Sequence, residues 1–131
     1  MFFSKVSLVL LFIAVLDTVY GSDVLDFSSG DFESNVGKHD TILVGFFAPW
    51  CKYSKELAHE YEKAANILKN NNPPVPLAKV DCTSEYGKPI CDMNGIEGYP
   101  TLKVFKQGNS TEYDGPLNSD AIVNFMRSQV A

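Results

Sequence analysis

Residues 42–55, I-L-V-G-F-F-A-P-W-C-K-Y-S-K, constrain this chain more than any other stretch. Ile42 to Phe47 is an apolar run of strand length, rich in β-branched and aromatic residues, as a buried central strand would be. Ala48-Pro49-Trp50 breaks the run. Beyond it the spacing turns helical, with Leu57, Tyr61, Ala64, Ala65 and Leu68 on one face. The pattern predicts a strand that ends and a helix that begins at Cys51, with the cysteine in the helix's first turn.

That position has chemical consequences. The first N–H groups of a helix lack internal partners and carry partial positive charge, so an anion is favoured there. A thiolate would gain about 1 kcal/mol, or about 2 if partly buried. The expectation is a thiol substantially ionised at neutral pH, with Lys52 either adding to the effect or pointing into water. The alternative is a buried cysteine acting as a small hydrophobe.

The first 21 residues read as a secretory leader rather than as part of the fold. Lys5 supplies the positive charge, Val6 to Leu16 is apolar except for Ser7, and Val19 and Gly21 suit a cleavage site. The apolar run is too short to span a bilayer, so no membrane attachment is expected after cleavage. A buried N-terminal helix is the other option. The expected division is a signal peptide over 1–21 and one domain over 22–131, in an oxidising compartment. With 45% hydrophobic and 21% charged residues, this is an ordinary globular composition with enough chain for one core. A net charge of −5 without any basic stripe argues against nucleic acid.

Along the rest of the chain, Val24 to Phe27 reads as a short strand. Ser28 to Asp31 has the S-x-x-D form of a helix start, followed by Phe32 and Val36 on a short helix. Asn70 to Pro74 must be loop, since tandem prolines cannot continue a helix. Leu77 to Asp81 is a strand, and Ser84 to Asn94 is weakly helical, interrupted by Gly87 and Pro89. Thr101 to Phe105 is a strand, Gln107 to Ser110 a turn, and Glu112-Tyr113 a short strand. Asp114-Gly115-Pro116 turns again, and Ser119-Asp120 caps a last helix with Ile122, Val123, Met126 and Val130 on one face. The order βαβαβαββα is that of an α/β fold, a mixed sheet covered by helices on both faces.

Four segments then point to a family: F-F-A-P-W-C-x-x-x-K-x-L-A-x-E-Y-E-K-A-A, V-D-C-T, G-Y-P-T-L-K-V-F and Y-D-G-P. In this order and spacing they closely resemble the a-type thioredoxin domain of protein disulfide isomerases, nearest the glycoprotein-associated subtype. The resemblance covers essentially all of Ser22 to Ala131. It implies a thioredoxin fold, Cys51 as attacking thiol, and a cis bond before Pro100, which would lie beside that thiol. It also implies that Trp50, Tyr99 and Pro100, with Tyr53, border the groove for an unfolded polypeptide.

The departures from the family pattern bear on function. The family motif is C-x-x-C, whereas Cys51-Lys52-Tyr53-Ser54 ends in serine, so Ser54 takes the place of the resolving thiol. Gly45 stands where the family keeps a buried glutamate that relays protons for that thiol. Leu117 replaces an arginine that modulates it, and Tyr53 replaces the intervening histidine. A buried carboxylate is costly without a task or a partner, so its loss alongside the thiol is physically coherent.

The expected chemistry is one-sided. Cys51 forms a mixed disulfide with a client, and release waits for glutathione or a second client thiol. No cofactor is implied beyond these exchange partners. The expected partners are unfolded or cysteine-bearing secretory proteins, with a resident oxidoreductase or chaperone of the endoplasmic reticulum as a further possibility. A redox-inactive domain that binds clients through the groove beside Pro100 is the alternative, so enzymatic activity is left open, at most a weak isomerase without a dithiol cycle. The tail, Arg127 to Ala131, is no K-D-E-L-type signal, which leaves secretion, retention by a partner, or a fragment of a multidomain isomerase.

Cys82 and Cys91 are spaced to close a small loop. A similar pair in the subtype is a structural disulfide, and two reduced buried thiols are the alternative. No zinc site is expected from three scattered cysteines. His59 lies about 12 Å further up the helix from Cys51 and His39 precedes the strand, so neither suits a Cys-His hydrolase. Asn109-Ser110-Thr111 is a glycosylation sequon on an expected exposed turn.

Overall fold

The computed structural model describes residues 21–131. The leader expected over 1–21 therefore lies outside the described residues, Gly21 excepted.

Five strands form one sheet in the order β1-β3-β2-β4-β5. β1 is Leu25–Asp26, β2 Thr41–Phe47, β3 Leu77–Asp81, β4 Thr101–Lys106 and β5 Asn109–Tyr113. The first three run parallel, while β4 and β5 are antiparallel to their neighbours. Four helices connect them: α1 Phe32–Gly37, α2 Lys52–Lys69, α3 Gly87–Met93 and α4 Ser119–Gln129. The expected element order and mixed sheet are both present.

β2 is buried from Ile42 to Phe47 because it lies at the centre with helices on each face. On one face, Leu43, Phe47, Leu102 and Val104 pack with Leu57, Tyr61, Ala64, Ala65 and Leu68 of α2 and with Ile122, Val123 and Met126 of α4. On the other, Ile42, Val44, Phe46 and Phe105 pack with Phe32 and Val36 of α1 and with Ile90 and Cys91 of α3. Alternate residues of β2 thus feed two separate cores. Tyr61 crosses from α2 to the sheet, where its hydroxyl reaches the carbonyls of Ala78 at 2.7 Å and Leu43 at 3.1 Å. Complete burial pushes its phenol well above the ordinary value.

Several boundaries differ from expectation. Asp31, not Ser28, caps α1, accepting the Ser34 N–H at 3.2 Å. Ser28 instead accepts the Asp81 N–H at 2.8 Å and ties β1 to the end of β3. α3 starts at Gly87, so Pro89 sits in the first turn, where a missing N–H costs nothing. Gly87 is required there: a Cβ would lie 1.9 Å from the Asp81 carbonyl oxygen. α4 is capped by Asn118, one residue earlier than expected, through the Ala121 N–H at 2.9 Å. β5 begins at Asn109, so the turn into it is only Gln107-Gly108, both with positive φ as a two-residue hairpin needs. The bond before Pro73 is cis, as is the bond before Pro100, the latter as the resemblance implied.

Candidate active site

β2 and β3 end side by side, joined by the Cys82 N–H donating to the Phe47 carbonyl at 2.8 Å. The start of β4 reaches the same end of the sheet, with Thr101 opposite Phe46. Three loops therefore converge on the carboxyl end of β2. There they bring Trp50 and Cys51 from the β2–α2 junction, with Tyr53 just beyond in α2, to Tyr99 and Pro100 from the approach to β4.

Cys51 is the N-cap residue of α2, in extended backbone, rather than part of its first turn. Its side chain makes no capping bond to the helix amides. Its half-buried Sγ lies 3.9 Å from the Tyr99 carbonyl, to which the thiol donates. The first-turn placement expected from the spacing is thus off by one position, and the sulfur faces the Tyr99-Pro100 bend instead. Trp50 and Tyr99 meet edge to face at 6.5 Å between ring centroids. Trp50 and Tyr53 remain 68% and 64% exposed, which leaves aromatic surface free on either side of the thiol.

Ser54 lies on the helix face that turns inward. It is 2% exposed, and its Oγ accepts the Ala48 N–H at 3.2 Å. That bond ties the first turn of α2 back to the end of β2. Beside Ser54 is a mostly apolar cavity of about 230 Å³, lined among others by Val24, Phe47, Ala58, Tyr61 and Lys79.

Gly45 explains the shape of this region. A Cβ there would lie 2.4 Å from the Phe47 ring and 3.1 Å from Leu102. The ring of Phe47 leans over Gly45 and meets Tyr61 edge to face at 5.4 Å. Lys79 stands beside Gly45 in the β2–β3 register and beside Asp26 across the other edge of β3. Burial pushes the Asp26 carboxyl up, but hydrogen bonds from Ser28 and the Lys79 charge outweigh it, and the group lies below its ordinary value.

Cys82 and Cys91 are joined in a disulfide with Cα atoms 5.7 Å apart, so Cys51 is the free cysteine. The bridge pins the β3–α3 loop, within which Tyr86 is 66% exposed. Sequence reasoning did not single out Tyr86; a large aromatic in an otherwise polar S-E-Y-G turn was the available signal. Leu117 is also exposed, in the loop before α4. His59 is exposed and His39 precedes β2 at the far end of the sheet, so neither approaches Cys51.

A parallel β1-β3-β2 unit, an antiparallel β4-β5 hairpin and a cysteine at the head of α2, facing a cis-proline bend, define a thioredoxin-fold thiol protein. Residues 23–128 match the thioredoxin family model. The chain belongs to the thioredoxin family, and it is a thioredoxin domain of the protein disulfide isomerase kind. It is 46% identical over 108 residues to the protein disulfide-isomerase of Medicago sativa, covering 81% of this chain and 21% of that protein. It is 44% identical over 128 residues to protein disulfide-isomerase A3 of Gallus gallus, covering 96% of this chain and 24% of that one. Among solved structures, the first thioredoxin domain of mouse protein disulfide-isomerase A4 superposes with a TM-score of 0.74 at 38% identity, over 83% of this chain and 76% of that one. Human ERp44 gives 0.76 at 29% identity, over 85% of this chain and 30% of that one. The chain spans about a fifth of the length of the curated relatives it matches.

Proposed function

We propose that this chain is a monothiol exchange domain that forms persistent mixed disulfides with client proteins in the endoplasmic reticulum lumen or the secretory pathway beyond it. One observation carries the reading: the position three residues after Cys51 holds a buried hydroxyl committed to the Ala48 amide, while the two other cysteines are bonded to each other. The Cys51 thiolate attacks a client disulfide, a new S–S bond forms, and the client's second sulfur leaves as thiolate. A second thiol placed at position 54 would resolve this adduct at high effective concentration. A hydroxyl cannot, so release is left to glutathione or to another client thiol.

Trp50, Tyr53, Tyr99 and Pro100 would flank the client segment, with the exposed rings giving apolar contact on either side of the sulfur. The residues before Ser22 would serve as leader. The test is capture from cells treated with a thiol blocker at lysis, followed by non-reducing separation. Reductant-sensitive adducts that vanish in Cys51→Ala are expected; an adduct pattern unchanged by that substitution overturns the reading.

A second reading, a redox-inactive client-binding domain, is favoured by the exposure of Trp50 and Tyr53 beside the groove. Client capture that survives Cys51→Ala and fails in Trp50→Ala selects it.

A further inference from the structure

We propose that Asn109 is an acceptor for N-linked glycan, placed so that the sugar covers the free edge of the sheet at the pole opposite Cys51. The inference rests on the secretory part of the function proposed above and is independent of the thiol chemistry. Asn109-Ser110-Thr111 has a hydroxyl two residues after the asparagine, as the acceptor sequence requires, and no proline between. Asn109 is the first residue of β5, directly after the Gln107-Gly108 turn, and Asn109 through Glu112 are all exposed. Nothing packed in the fold would have to move to admit a sugar there.

The sheet register fixes which pole this is. Phe46 pairs with Thr101 at the Cys51 end, whereas Thr41 pairs with Lys106, which in turn pairs with Asn109. Five strand residues, about 17 Å, separate those rungs. Among the described residues β5 pairs only with β4, so its outer side there is an open edge. Such an edge invites pairing with other extended chains, the very material a folding compartment is full of, and a bulky hydrophilic group suppresses this.

In the transfer, the Asn109 Nδ2 attacks the anomeric carbon of a polyprenyl-diphosphate-linked oligosaccharide. A C–N bond forms, the C–O bond to phosphate breaks, and the lipid diphosphate leaves with the electron pair while the amide proton passes to base. The host's transferase supplies the donor and the base.

The test is cell-free synthesis of the full chain with endoplasmic reticulum microsomes, once with its own residues 1–21 and once with a known cleavable leader in their place. Expected is a one-glycan mobility shift reversed by endoglycosidase H, absent in Asn109→Gln and Thr111→Ala, and retained in Ser110→Ala. Imported, protease-protected chain that shows no shift overturns the proposal, as does a shift that persists in Asn109→Gln. A shift with the borrowed leader but no import with the native one overturns the secretory reading and leaves the acceptor site supported. Glycosylated and enzymatically deglycosylated protein should react with a bulky maleimide at Cys51 at equal rates; slower reaction of the glycosylated form overturns the opposite-pole placement.

Discussion

The hydroxyl of Ser54 accepts the backbone N–H of Ala48 from a site almost sealed from water. The same bond closes the strand-to-helix junction that carries Cys51 between them. Serine at this position is therefore a structural tie between the strand and the helix.

Ser54→Ala leaves the buried Ala48 N–H without its acceptor, and the cost should be about 1–3 kcal/mol. Urea denaturation should show the midpoint falling with an unchanged slope. Cys51 labelling in the native protein should change little.

Ser54→Cys places a second thiol three residues after Cys51. In oxidising buffer Cys51 and the new thiol should pair, read as no alkylated thiol where the reduced pair would take up two, and mixed disulfides with a model peptide should dissociate at least about 100-fold faster, as positioned groups do. A release rate equal to that of the parent would show that the two side chains cannot meet.

Gly45→Ala forces a Cβ against the Phe47 ring, and overpacking of this kind costs about 1–3 kcal/mol. Gly45→Glu adds a buried carboxylate and should be worse. Pairing either change with Phe47→Ala should recover part of the loss, a coupling that a thermodynamic cycle in urea would measure.

Reduction of Cys82–Cys91 should lower stability by about 2–3 kcal/mol, as loss of a short-loop bridge does. Intact mass should rise by two hydrogens on reduction. Native, unreduced protein should take up a single maleimide, at Cys51.

Stability should fall in acid. The Ser119 N–H donates to the Glu60 carboxylate at 3.1 Å, and this bond, followed by Lys63, holds its proton affinity below the ordinary value. Asp23 is likewise lowered, by Asn66 and then Lys69. Groups with depressed folded values stabilise above their unfolded pKa and lose that contribution as pH falls through the folded one. The melting temperature should therefore drop below about pH 4, and Glu60→Gln should show a shallower drop.

Much of this fold was legible before any coordinates. The Ile42–Phe47 run, the α2 stripe from Leu57 to Leu68 and the Leu77–Asp81 strand are where periodicity put them, because burial alone decides those positions. Caps were read less well: Ser28 and Ser119 carry suitable side chains, but Asp31 and Asn118 stand where the helix amides point. The β4–β5 turn was read too long because Asn109 and Ser110 look like turn residues, while the positive φ angles fall on Gln107 and Gly108.

At the site, spacing correctly put Ser54 three residues from Cys51 but could not say which partner its hydroxyl would choose. That position 45 holds glycine was visible; the reason a side chain does not fit there was not, since it lies in the rotamer of Phe47.

That rotamer reserves the space above Gly45 for an aromatic ring. Any side chain introduced at position 45 would run into a benzene ring, with Lys79 beside it in the sheet register. A larger residue at position 45 would therefore have to arrive together with a change at Phe47, so packing alone couples the two positions.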